Sequence, residues 1–563
     1  MKLQEFEALR LRAIREWQEM HSRPFVTVST ATCGRGAGAL ATLDVVREFV
    51  ARHKVDCGVI EVGCMGLCYA EPIVGIGMPG IPMVFYGKVG TEEAYRILEQ
   101  HLLYRKPMAQ YALGAVGDGL VDGIQNLFET PVFGKQVRRV LSRCGFVDPT
   151  NLDHYIATGG YEGLLKALSM EPMQIIEEVK NSGLRGRGGA GFPTGLKWEL
   201  ARRSIGSEKY IVCNGAEGDI GAFMDRVLME SDPYSILEGM TIAALAIGAR
   251  RGYIYVRAEY EHAFQVLDKA ISKATQYGLL GGDILGTGLQ FEVELFRAAG
   301  MYICGEETAL MNSMEGRRGV PRVRPPFPTQ AGLRSMPTVV NNVKTLANVP
   351  LILKNGANWF SSIGTEKSRG TALLSLSGCI ERCGVVEVPM GITLREVVYE
   401  IGGGIANGRE LKAVQTGGPL GGIIPKWMMD LPLDYESLRD IESPLGSGGI
   451  IVLDDRTCMV DVARGFSEFA KKESCGYCAP CRLGTTQIFQ ILDEIVGGCG
   501  RPGDIDLLES IGETMKVSSF CAFGQNASNI VLATIKHFRD EYEEHIYKRR
   551  CPVFLRSSEE REG

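Results

Sequence analysis

The pattern of apolar and polar positions divides the 563-residue chain into regions of different periodicity. In the first region, short apolar runs alternate with longer segments of helical spacing, which is typical of a small α/β domain. The elements predicted there are strands at 25–29 and 57–62 and helices at 37–53 and 91–103. Residues 1–20 predict an amphipathic helix that packs on this protein or on a partner. We place the domain at 1–108 and a mixed, glycine-containing linker at 109–132.

A second α/β pattern, larger than the first, follows this linker. Its clearest elements are strands at 210–213 and 253–256 and helices at 233–249 and 261–277. Glycine and β-branched residues then dominate, with strands predicted at 373–377 and 384–388. The last region is helical and has two cysteine-bearing loops. The pattern therefore predicts a large α/β domain, a small β-rich domain, a helical domain and a polar tail, placed at 133–365, 366–458, 459–552 and 553–563.

Size and charge narrow the class of protein. A prior of about 150 residues per domain gives about four domains, in agreement with the periodicity. The 61 basic and 67 acidic residues leave a net charge of −6, which does not indicate nucleic-acid binding. No apolar run reaches the roughly 18 residues of a membrane span, and the charged N-terminus does not resemble a signal peptide. We therefore expect a cytoplasmic protein that meets a membrane only through partners.

Sixteen cysteines favour thiolate ligands over disulfides in a reducing compartment. Cys475, Cys478 and Cys481 follow two successive Cys-x-x-Cys steps, and Cys521 lies further along the chain. Three sulfurs on one tight loop with a distant fourth are typical of [4Fe–4S] ligands. Because zinc usually takes its ligands in two separate pairs, zinc and unligated thiols are the weaker alternatives.

A glycine-dense loop at 183–195 indicates a phosphate-binding site. Glycines allow backbone N–H groups to face a phosphate without a clashing Cβ atom. The segment 194–203 predicts a helix whose positive end can meet that phosphate, and Arg187 and Lys197 add charge. The segment 173–181 before the loop is helical, unlike the strand that precedes the ordinary dinucleotide fingerprint.

At these motifs the sequence resembles a known family. The family is the flavin subunit of respiratory NADH:quinone oxidoreductase (complex I), together with the diaphorase subunits of NAD(P)-linked hydrogenases and formate dehydrogenases. The resemblance runs in colinear order from about residue 133 to residue 551. The matching blocks are LRGRGGAGFPTGLKW from Leu184, CNGAEGDIGAFMDR from Cys213, AGMYICGEETAL from Ala299, EGRRGVPRVRPPFP from Glu315, PTVVNNVKTLANVP from Pro337 and ESCGYCAPC from Glu473.

The resemblance implies an α/β multidomain protein with a thioredoxin-like N-terminal domain, a Rossmann-like FMN domain, a β-grasp (ubiquitin-like) domain and a C-terminal helical bundle that holds [4Fe–4S]. It implies FMN as cofactor and NAD(P)(H) as a substrate stacked on it. No catalytic side chain is implied, because the flavin carries the chemistry. Carried over by position, the FMN contacts are Gly186, Arg187, Gly188, Lys197, Asn214, Glu217, Gly218, Tyr302, Gly305, Glu306, Glu307, Asn341 and Asn342. The nucleotide contacts are Phe192, Asp219, Glu307, Arg324 and Phe327.

The chain departs from the family pattern beside the flavin. Ala216 stands where an acidic residue is usual, Asp219 where a longer Glu is usual, and Arg324 where a Lys is usual. The lost and shortened carboxylates, together with a guanidinium that always stays charged, favour tolerance of a 2′-phosphate on the nucleotide. We therefore expect a relaxed choice between NAD and NADP. The same substitutions leave an alternative open, in which the chain transfers or bifurcates electrons at the flavin without itself oxidising NADH.

Cys33, Cys64 and Cys68 resemble ligands of the thioredoxin-like [2Fe–2S] domain that often precedes this core. The first half of that domain normally carries two cysteines about four residues apart, whereas here Cys33 stands alone. Cys57 is one candidate for the fourth ligand, although it lies at a predicted buried strand. The alternative is a degenerate docking domain without a cluster.

The remaining cysteines show no strong ligand pattern. The spacing of Cys379 and Cys383 permits a metal contribution, but two buried thiols are the preferred interpretation. The seven histidines show no metal-like pairing. No further ferredoxin-like cysteine run follows Cys521, so we expect electrons to pass to another iron–sulfur subunit of a hetero-oligomer. The cysteines assigned to packing are Cys144, Cys213, Cys304, Cys458, Cys499 and Cys551.

Overall fold

A computed structural model describes residues 2–298 and 300–553 of the protein. Three five-stranded sheets and a C-terminal group of helices account for the described residues. None of the helices in these two ranges is both long and apolar enough to cross a bilayer. Of the tail expected at 553–563, all but the first residue lie outside the described ranges.

The first domain is built on a sheet with one parallel and three antiparallel strand pairs. Its strands are β1 (Phe25–Ser29), β2 (Gly58–Val62), β3 (Val74–Met78), β4 (Ile81–Tyr86) and β5 (Ala112–Val116), in the order β2-β1-β3-β4-β5. Its helices are α1 (Leu3–His21), α2 (Thr32–Gly36), α3 (Ala39–His53) and α4 (Thr91–Ile97), which continues as a π-helix over Leu98–Leu103. Strand β5 lies inside the segment expected to be a linker, and it pairs with β4.

The N-terminal helix α1 packs on the second domain. Its apolar side includes Phe6, which is fully buried and meets the ring of Tyr161 edge-on at 6.2 Å between centroids. On the polar side, Arg12 pairs with Asp153 at 3.5 Å. The predicted amphipathic helix is therefore confirmed, and the surface that it covers belongs to this chain.

The second domain contains a sheet of four parallel strands and one antiparallel edge strand. Its strands are β6 (Tyr210–Gly215), β7 (Arg251–Val256), β8 (Gly281–Ile284), β9 (Leu289–Arg297) and β10 (Thr338–Asn342), in the order β10-β6-β7-β9-β8. Strands β7 and β9 extend the sheet on one side of β6, whereas β10 joins the other side. The strand order therefore reverses at β6, which leaves a crevice at the carboxyl ends of β6 and β10. Its helices are α5 (Pro131–Gly134), α6 (Leu152–Ala157), α7 (Glu162–Leu168), α8 (Pro172–Asn181), α9 (Thr194–Arg203), α10 (Met224–Ser231), α11 (Pro233–Ile247), α12 (Glu261–Gln276), α13 (Glu307–Met314), α14 (Pro328–Ala331), α15 (Val343–Asn355) and α16 (Ala357–Ser361).

The third domain is a mixed sheet, and the fourth is helical. The strands are β11 (Thr371–Gly378), β12 (Gly384–Pro389), β13 (Leu411–Thr416), β14 (Gly422–Pro425) and β15 (Gly449–Asp454), in the order β12-β11-β15-β13-β14. The helices are α17 (Tyr435–Asp440), which accompanies the sheet, and α18 (Met459–Glu473), α19 (Ala479–Val496), α20 (Asp504–Ser518), α21 (Ala522–Asn526) and α22 (Asn529–Tyr547). The cysteine-bearing loops lie between these last helices.

Candidate functional site

The glycine-rich loop lies between α8 and α9, so the helices predicted on both sides of it are confirmed. Backbone hydrogen bonds close the loop, from Gly186 N to Phe192 O at 2.8 Å and from Thr194 N to Leu184 O at 2.9 Å. A Cβ atom on Gly188 would lie 2.9 Å from the Cβ of Asn342 at the end of β10. The loop therefore lies against the carboxyl end of the parallel sheet, beside the crevice.

Arg187, expected at the FMN phosphate, makes several hydrogen bonds within the chain. Its side chain is 5% exposed, and its guanidinium donates to the carbonyl oxygens of Arg185 at 3.1 Å and Thr371 at 3.2 Å. A third bond goes to the carbonyl of Arg369. The bonds to Thr371 and Arg369 tie the loop to the third domain, and the bond to Arg185 lies within the loop.

The asparagines at the strand ends are held by specific hydrogen bonds. At the end of β6, Asn214 donates to the carbonyl of Gly305 at 2.8 Å. In β10, Asn341 accepts a bond from the indole N–H of Trp198 at 2.9 Å. Two expected FMN contacts, Asn214 and Gly305, are thus brought together, and Asn341 is anchored to α9.

A buried group of charges lies next to these asparagines. Asp225 and Lys344 form an ion pair at 3.0 Å with side-chain exposures of 4% and 2%, and Asn342 also donates to Asp225. Glu217 accepts bonds from the backbone N–H groups of Asp225 and Arg226 at 2.9 and 3.1 Å, which caps α10. Burial and the charge of Asp225 raise the pKa of Glu217 to about 7. The Asp225–Lys344 pair was missed by sequence reasoning, although both residues lie in the matching blocks.

Asp219, expected to face the nucleotide, is half-buried and contacts the third domain. One carboxylate oxygen accepts from the Tyr302 hydroxyl at 2.8 Å, and the other accepts from the Ser447 hydroxyl. Burial raises the pKa of Asp219 above its ordinary value, and the two hydroxyl donors oppose that rise. Both oxygens are thus engaged within the chain.

The remaining nucleotide-site candidates surround an open surface. Phe192 and Phe327 are 43% and 51% exposed, which leaves aromatic faces available for stacking. Arg324 pairs with Glu306 and with Glu307, the latter at 3.2 Å. Lys197 also pairs with Glu307, at 3.1 Å. The basic side chains expected at the cofactors are therefore partly neutralised by neighbouring carboxylates.

The four C-terminal cysteines converge on one place. Cys475, Cys478 and Cys481 lie on the connection from α18 to α19, and Cys521 directly precedes α21. Gly524, three residues after Cys521, lies against Cys481, because a Cβ atom on Gly524 would lie 2.9 Å from the Cβ of Cys481. All four cysteines belong to the same group of packed side chains. Cys478 is the N-cap of the 18-residue helix α19, where the helix dipole favours negative charge. Four convergent thiols with this surrounding fit a [4Fe–4S] centre.

Tyr302 connects the flavin-side residues with this cysteine group. Its hydroxyl bonds Asp219, and its backbone N–H donates to Glu473 at 2.8 Å, two residues before Cys475. Its ring lies 5.7 Å from that of Phe523, two residues after Cys521. The crevice and the cysteine group are therefore adjacent.

The three N-terminal cysteines also form a compact group. The sulfurs of Cys33, Cys64 and Cys68 all lie within 4.8 Å of one another. The group is seated on α10, because the backbone N–H of Cys64 donates to the Ser231 hydroxyl at 3.0 Å. Helix α10 thus has the thiol group at one end and the carboxylate of Glu217 at the other.

A second convergent group was not predicted from the sequence. Cys458, His545 and Cys551 place their ligand atoms within 4.8 Å of one another, with 3.4 Å between Cys458 Sγ and His545 Nε2. Two thiols and an imidazole are donors that zinc commonly takes. Both cysteines also pack in the apolar cluster of the helical domain, as expected from the sequence. Cys458 lies 87 residues before His545 in the sequence, so no local spacing indicates the whole group.

Comparisons with known proteins agree with this geometry. Residues 179–351 match the Nuo51 FMN-binding domain, and residues 461–545 match the NADH-ubiquinone oxidoreductase-F iron–sulfur binding region. The first range contains the glycine-rich loop and the crevice, and the second contains the four convergent cysteines. The fold and site therefore define a flavin- and iron–sulfur-binding oxidoreductase subunit.

The chain belongs to the family of the FMN-binding NADH-quinone oxidoreductase subunits and related hydrogenase subunits. It is 51% identical over 421 residues to the NADP-reducing hydrogenase subunit HndC of Solidesulfovibrio fructosivorans, covering 75% of this chain and 86% of the relative. It is 44% identical over 398 residues to the corresponding NADH-quinone oxidoreductase subunit of Escherichia coli, covering 70% and 89%. A crystal structure of NAD+-reducing [NiFe]-hydrogenase in the H2-reduced state is similar, with a TM-score of 0.66, 30% identity and coverage of 93% and 84%. The chain is an NAD(P)H oxidoreductase subunit that transfers electrons between the nucleotide, FMN and [4Fe–4S].

Proposed function

We propose that FMN binds in the crevice at the carboxyl ends of β6 and β10 and that the nicotinamide nucleotide stacks on it from the exposed side. The observation that carries this proposal is the convergence of the glycine-rich loop with strand-end asparagines at the point where the strand order reverses. The exposed rings of Phe192 and Phe327 support an aromatic clamp for the nucleotide.

The chain's own residues bind and orient the ligands. The bound flavin supplies hydride acceptance in pairs of electrons and release in single electrons. Tyr302 and Asp219 stand between the crevice and the cysteine group, so they fix the separation of the two sites. The proposed FMN contacts are Gly186, Arg187, Gly188, Lys197, Asn214, Glu217, Gly218, Tyr302, Gly305, Glu306, Glu307, Asn341 and Asn342. The proposed nucleotide contacts are Phe192, Asp219, Glu307, Arg324 and Phe327.

The architecture supports finer assignments for each domain. The order β2-β1-β3-β4, with one parallel pair, supports a thioredoxin-like first domain that carries a second iron–sulfur centre on Cys33, Cys64 and Cys68. We further infer a Rossmann-like FMN domain, a β-grasp third domain and a [4Fe–4S] helical bundle. The ligands of that centre are Cys475, Cys478, Cys481 and Cys521.

We infer that the chain works in a cytoplasmic hetero-oligomer with other iron–sulfur subunits. The names of its relatives support this, because they are subunits of a hydrogenase and of a quinone oxidoreductase. A second candidate function is electron transfer or bifurcation at the flavin without direct NADH oxidation. It is favoured by Asp219, whose two oxygens are both engaged by hydroxyls of the chain.

The Gly186→Ala variant tests the FMN site. The atom nearest to a Cβ on Gly186 is the Phe192 carbonyl oxygen at 3.6 Å, so the chain itself tolerates the methyl group. A flavin phosphate held by the loop backbone does not, and we expect FMN content to fall at least tenfold at an unchanged melting temperature of the FMN-free protein. The matched control is Gly282→Ala, where a Cβ meets nothing within 4 Å.

Anaerobic titration of the wild-type protein with NADH separates the two candidate functions. Bleaching of the flavin absorbance by stoichiometric NADH supports nucleotide oxidation. Bleaching by dithionite but not by NADH or NADPH would instead support the second candidate.

Full FMN retention by the Gly186→Ala variant would show that the glycine-rich loop does not contact the flavin phosphate.

A further inference from the structure

The N-terminal thiol group holds three cysteines, whereas a [2Fe–2S] centre takes four protein ligands. The sulfurs of Cys64 and Cys68 are 3.9 Å apart, and Cys33 completes the group. Among the described residues of the first domain, one other cysteine exists, Cys57. The missing ligand therefore comes from Cys57, from a side chain of another type, or from another domain.

Cys57 is at the wrong end of its strand. It directly precedes β2, whereas Cys64 follows the other end, and a five-residue strand spans about 17 Å. The Cys57 sulfur lies 3.5 Å from the neighbouring Gly58 carbonyl. This position excludes Cys57 from the thiol group.

The turn between β11 and β12 of the third domain lies directly on the thiol loop. Tyr69 N donates to Cys383 O at 3.1 Å, and Val385 N donates to Gly66 O at 2.9 Å. A Cβ on the intervening Gly384 would lie 2.0 Å from Gly66 O and 3.3 Å from Cys68 N. A glycine is thus required for this approach, which brings Cys383 beside the loop that carries two of the three thiols.

A positive charge lies beside the thiol loop. The Arg138 guanidinium donates to the carbonyl of Met65 within this loop at 2.9 Å. A guanidinium at this place favours thiolates in the group.

We propose that Cys383 is the fourth ligand of a [2Fe–2S] centre whose other ligands are Cys33, Cys64 and Cys68, so that the centre joins the first domain to the third. This ligand assignment extends the proposed function, and it rests on the second iron–sulfur centre proposed there. The hairpin supplies, from a distant part of the chain, the thiol that the first half of the N-terminal domain lacks.

Glu71 is the competing ligand within the first domain. Its carboxylate lies 3.6 Å from the Cys33 sulfur, but it already accepts bonds from the Ser29 hydroxyl at 2.8 Å and from the Ile73 backbone at 3.0 Å. Thiolates are the usual ligands of iron–sulfur clusters. Because Glu71 is held by donors of its own, we assign it to positioning Cys33.

The test compares single variants of the full-length protein after anaerobic iron–sulfur reconstitution. We expect Cys383→Ala to lose about two irons per chain and the electron paramagnetic resonance signal of a reduced [2Fe–2S] centre, as Cys33→Ala does. FMN content, flavin bleaching by NADH and the [4Fe–4S] signal stay unchanged. The matched control is Cys379→Ala, four residues earlier on the same hairpin and beside Asp454, which keeps both signals.

Other outcomes overturn the assignment. Full iron and an unaltered signal in Cys383→Ala, or loss of the centre in Glu71→Gln alone, would give the fourth position to another group. Zinc in place of iron in the wild-type protein would also overturn it. If Cys383→Ala folds poorly, Gly384→Ala keeps the thiol but displaces the hairpin, and an unchanged signal there contradicts the proposal. Loss of NADH bleaching in the wild type is a separate result, which bears on the proposed function alone.

Discussion

Glu217 is a buried carboxyl whose protonation is linked to stability. Its pKa is raised from the ordinary 4.5 to about 7, so the folded state binds a proton that the unfolded state releases at lower pH. The stabilising contribution is complete below pH 4.5 and is lost as the pH rises through about 7. The linked change in unfolding free energy is at most about 3 kcal/mol. We expect Glu217→Gln to lose less stability than the wild type between pH 5 and pH 8 in thermal melts.

The exposed carboxyl of Glu366 gives the control for this pH dependence. Replacing it with glutamine leaves the pH profile of the wild type unchanged. A Glu217→Gln profile parallel to that of the wild type would show that Glu217 does not titrate in this range.

Asp219 and Arg324 determine the expected nucleotide preference. The short carboxylate of Asp219 is held by Tyr302 and Ser447, so it does not extend to oppose a 2′-phosphate as a longer Glu would. We expect wild-type kcat/KM for NADH and NADPH to lie within about tenfold, a difference of about 1.4 kcal/mol. The Asp219→Glu variant shifts the ratio toward NADH, and Asp219→Asn shifts it toward NADPH. A wild-type enzyme that strongly prefers NADH contradicts this expectation.

Site residues could be predicted from the sequence where their function depends on their spacing along the chain. The repeated Cys-x-x-Cys step brought three of the four convergent cysteines to one loop, and the glycine loop marked the crevice. Sequence spacing does not indicate residues that contact each other only after the chain has folded. The ion pair of Asp225 with Lys344 and the group of Cys458, His545 and Cys551 are of this kind.

At the scale of elements, periodicity predicted helices and strands well because each element buries one face. Helix α9 has the predicted bounds, and β1 and β6 begin at the predicted residues. Strand β5 is the exception, because its run of Ala, Leu, Gly, Ala and Val is short and becomes a strand only by pairing with β4. An edge strand of this kind depends on its neighbour more than on its own sequence.

Strand β12 carries a carboxylate that organises the segment before α6. Glu387 is fully buried and accepts bonds from the backbone N–H groups of residues 139–141, at 2.8 to 3.1 Å, and from the Thr371 hydroxyl at 2.6 Å. Its removal leaves several buried donors without an acceptor. We expect Glu387→Ala to lose roughly 3–5 kcal/mol of unfolding free energy in urea titrations.

The half-exposed Glu396, which follows β12 in the chain, provides a comparison for the stability contribution of Glu387. It accepts from Thr393 and Lys135, so Glu396→Ala costs about 1 kcal/mol. Equal losses in the two variants would mean that burial does not set the contribution of Glu387.

At the scale of the whole molecule, the crevice depends on contact between the second and third domains. Arg187 makes this contact with two hydrogen bonds to carbonyls of the third domain, and a third bond holds the loop itself. A lysine with a single ammonium group cannot reproduce the geometry of these bonds. We expect Arg187→Lys to weaken FMN binding about tenfold, since lost bonds of about 1 kcal/mol each loosen the loop. Fluorescence titration of the FMN-free protein measures the change, and the exposed Arg439→Lys serves as control.

The contact between Gly66 and Val385 joins two parts of the chain that are synthesised at different times. About 320 residues separate its two sides, which a ribosome adding roughly 5–20 residues per second takes between roughly 15 s and one minute to produce. The first domain leaves the ribosome long before the hairpin that covers its thiol loop exists. With Cys383 as the fourth ligand, iron delivery to the complete set of ligands follows the synthesis of the third domain, and the three N-terminal thiols meet oxidants and other metals without that ligand until then.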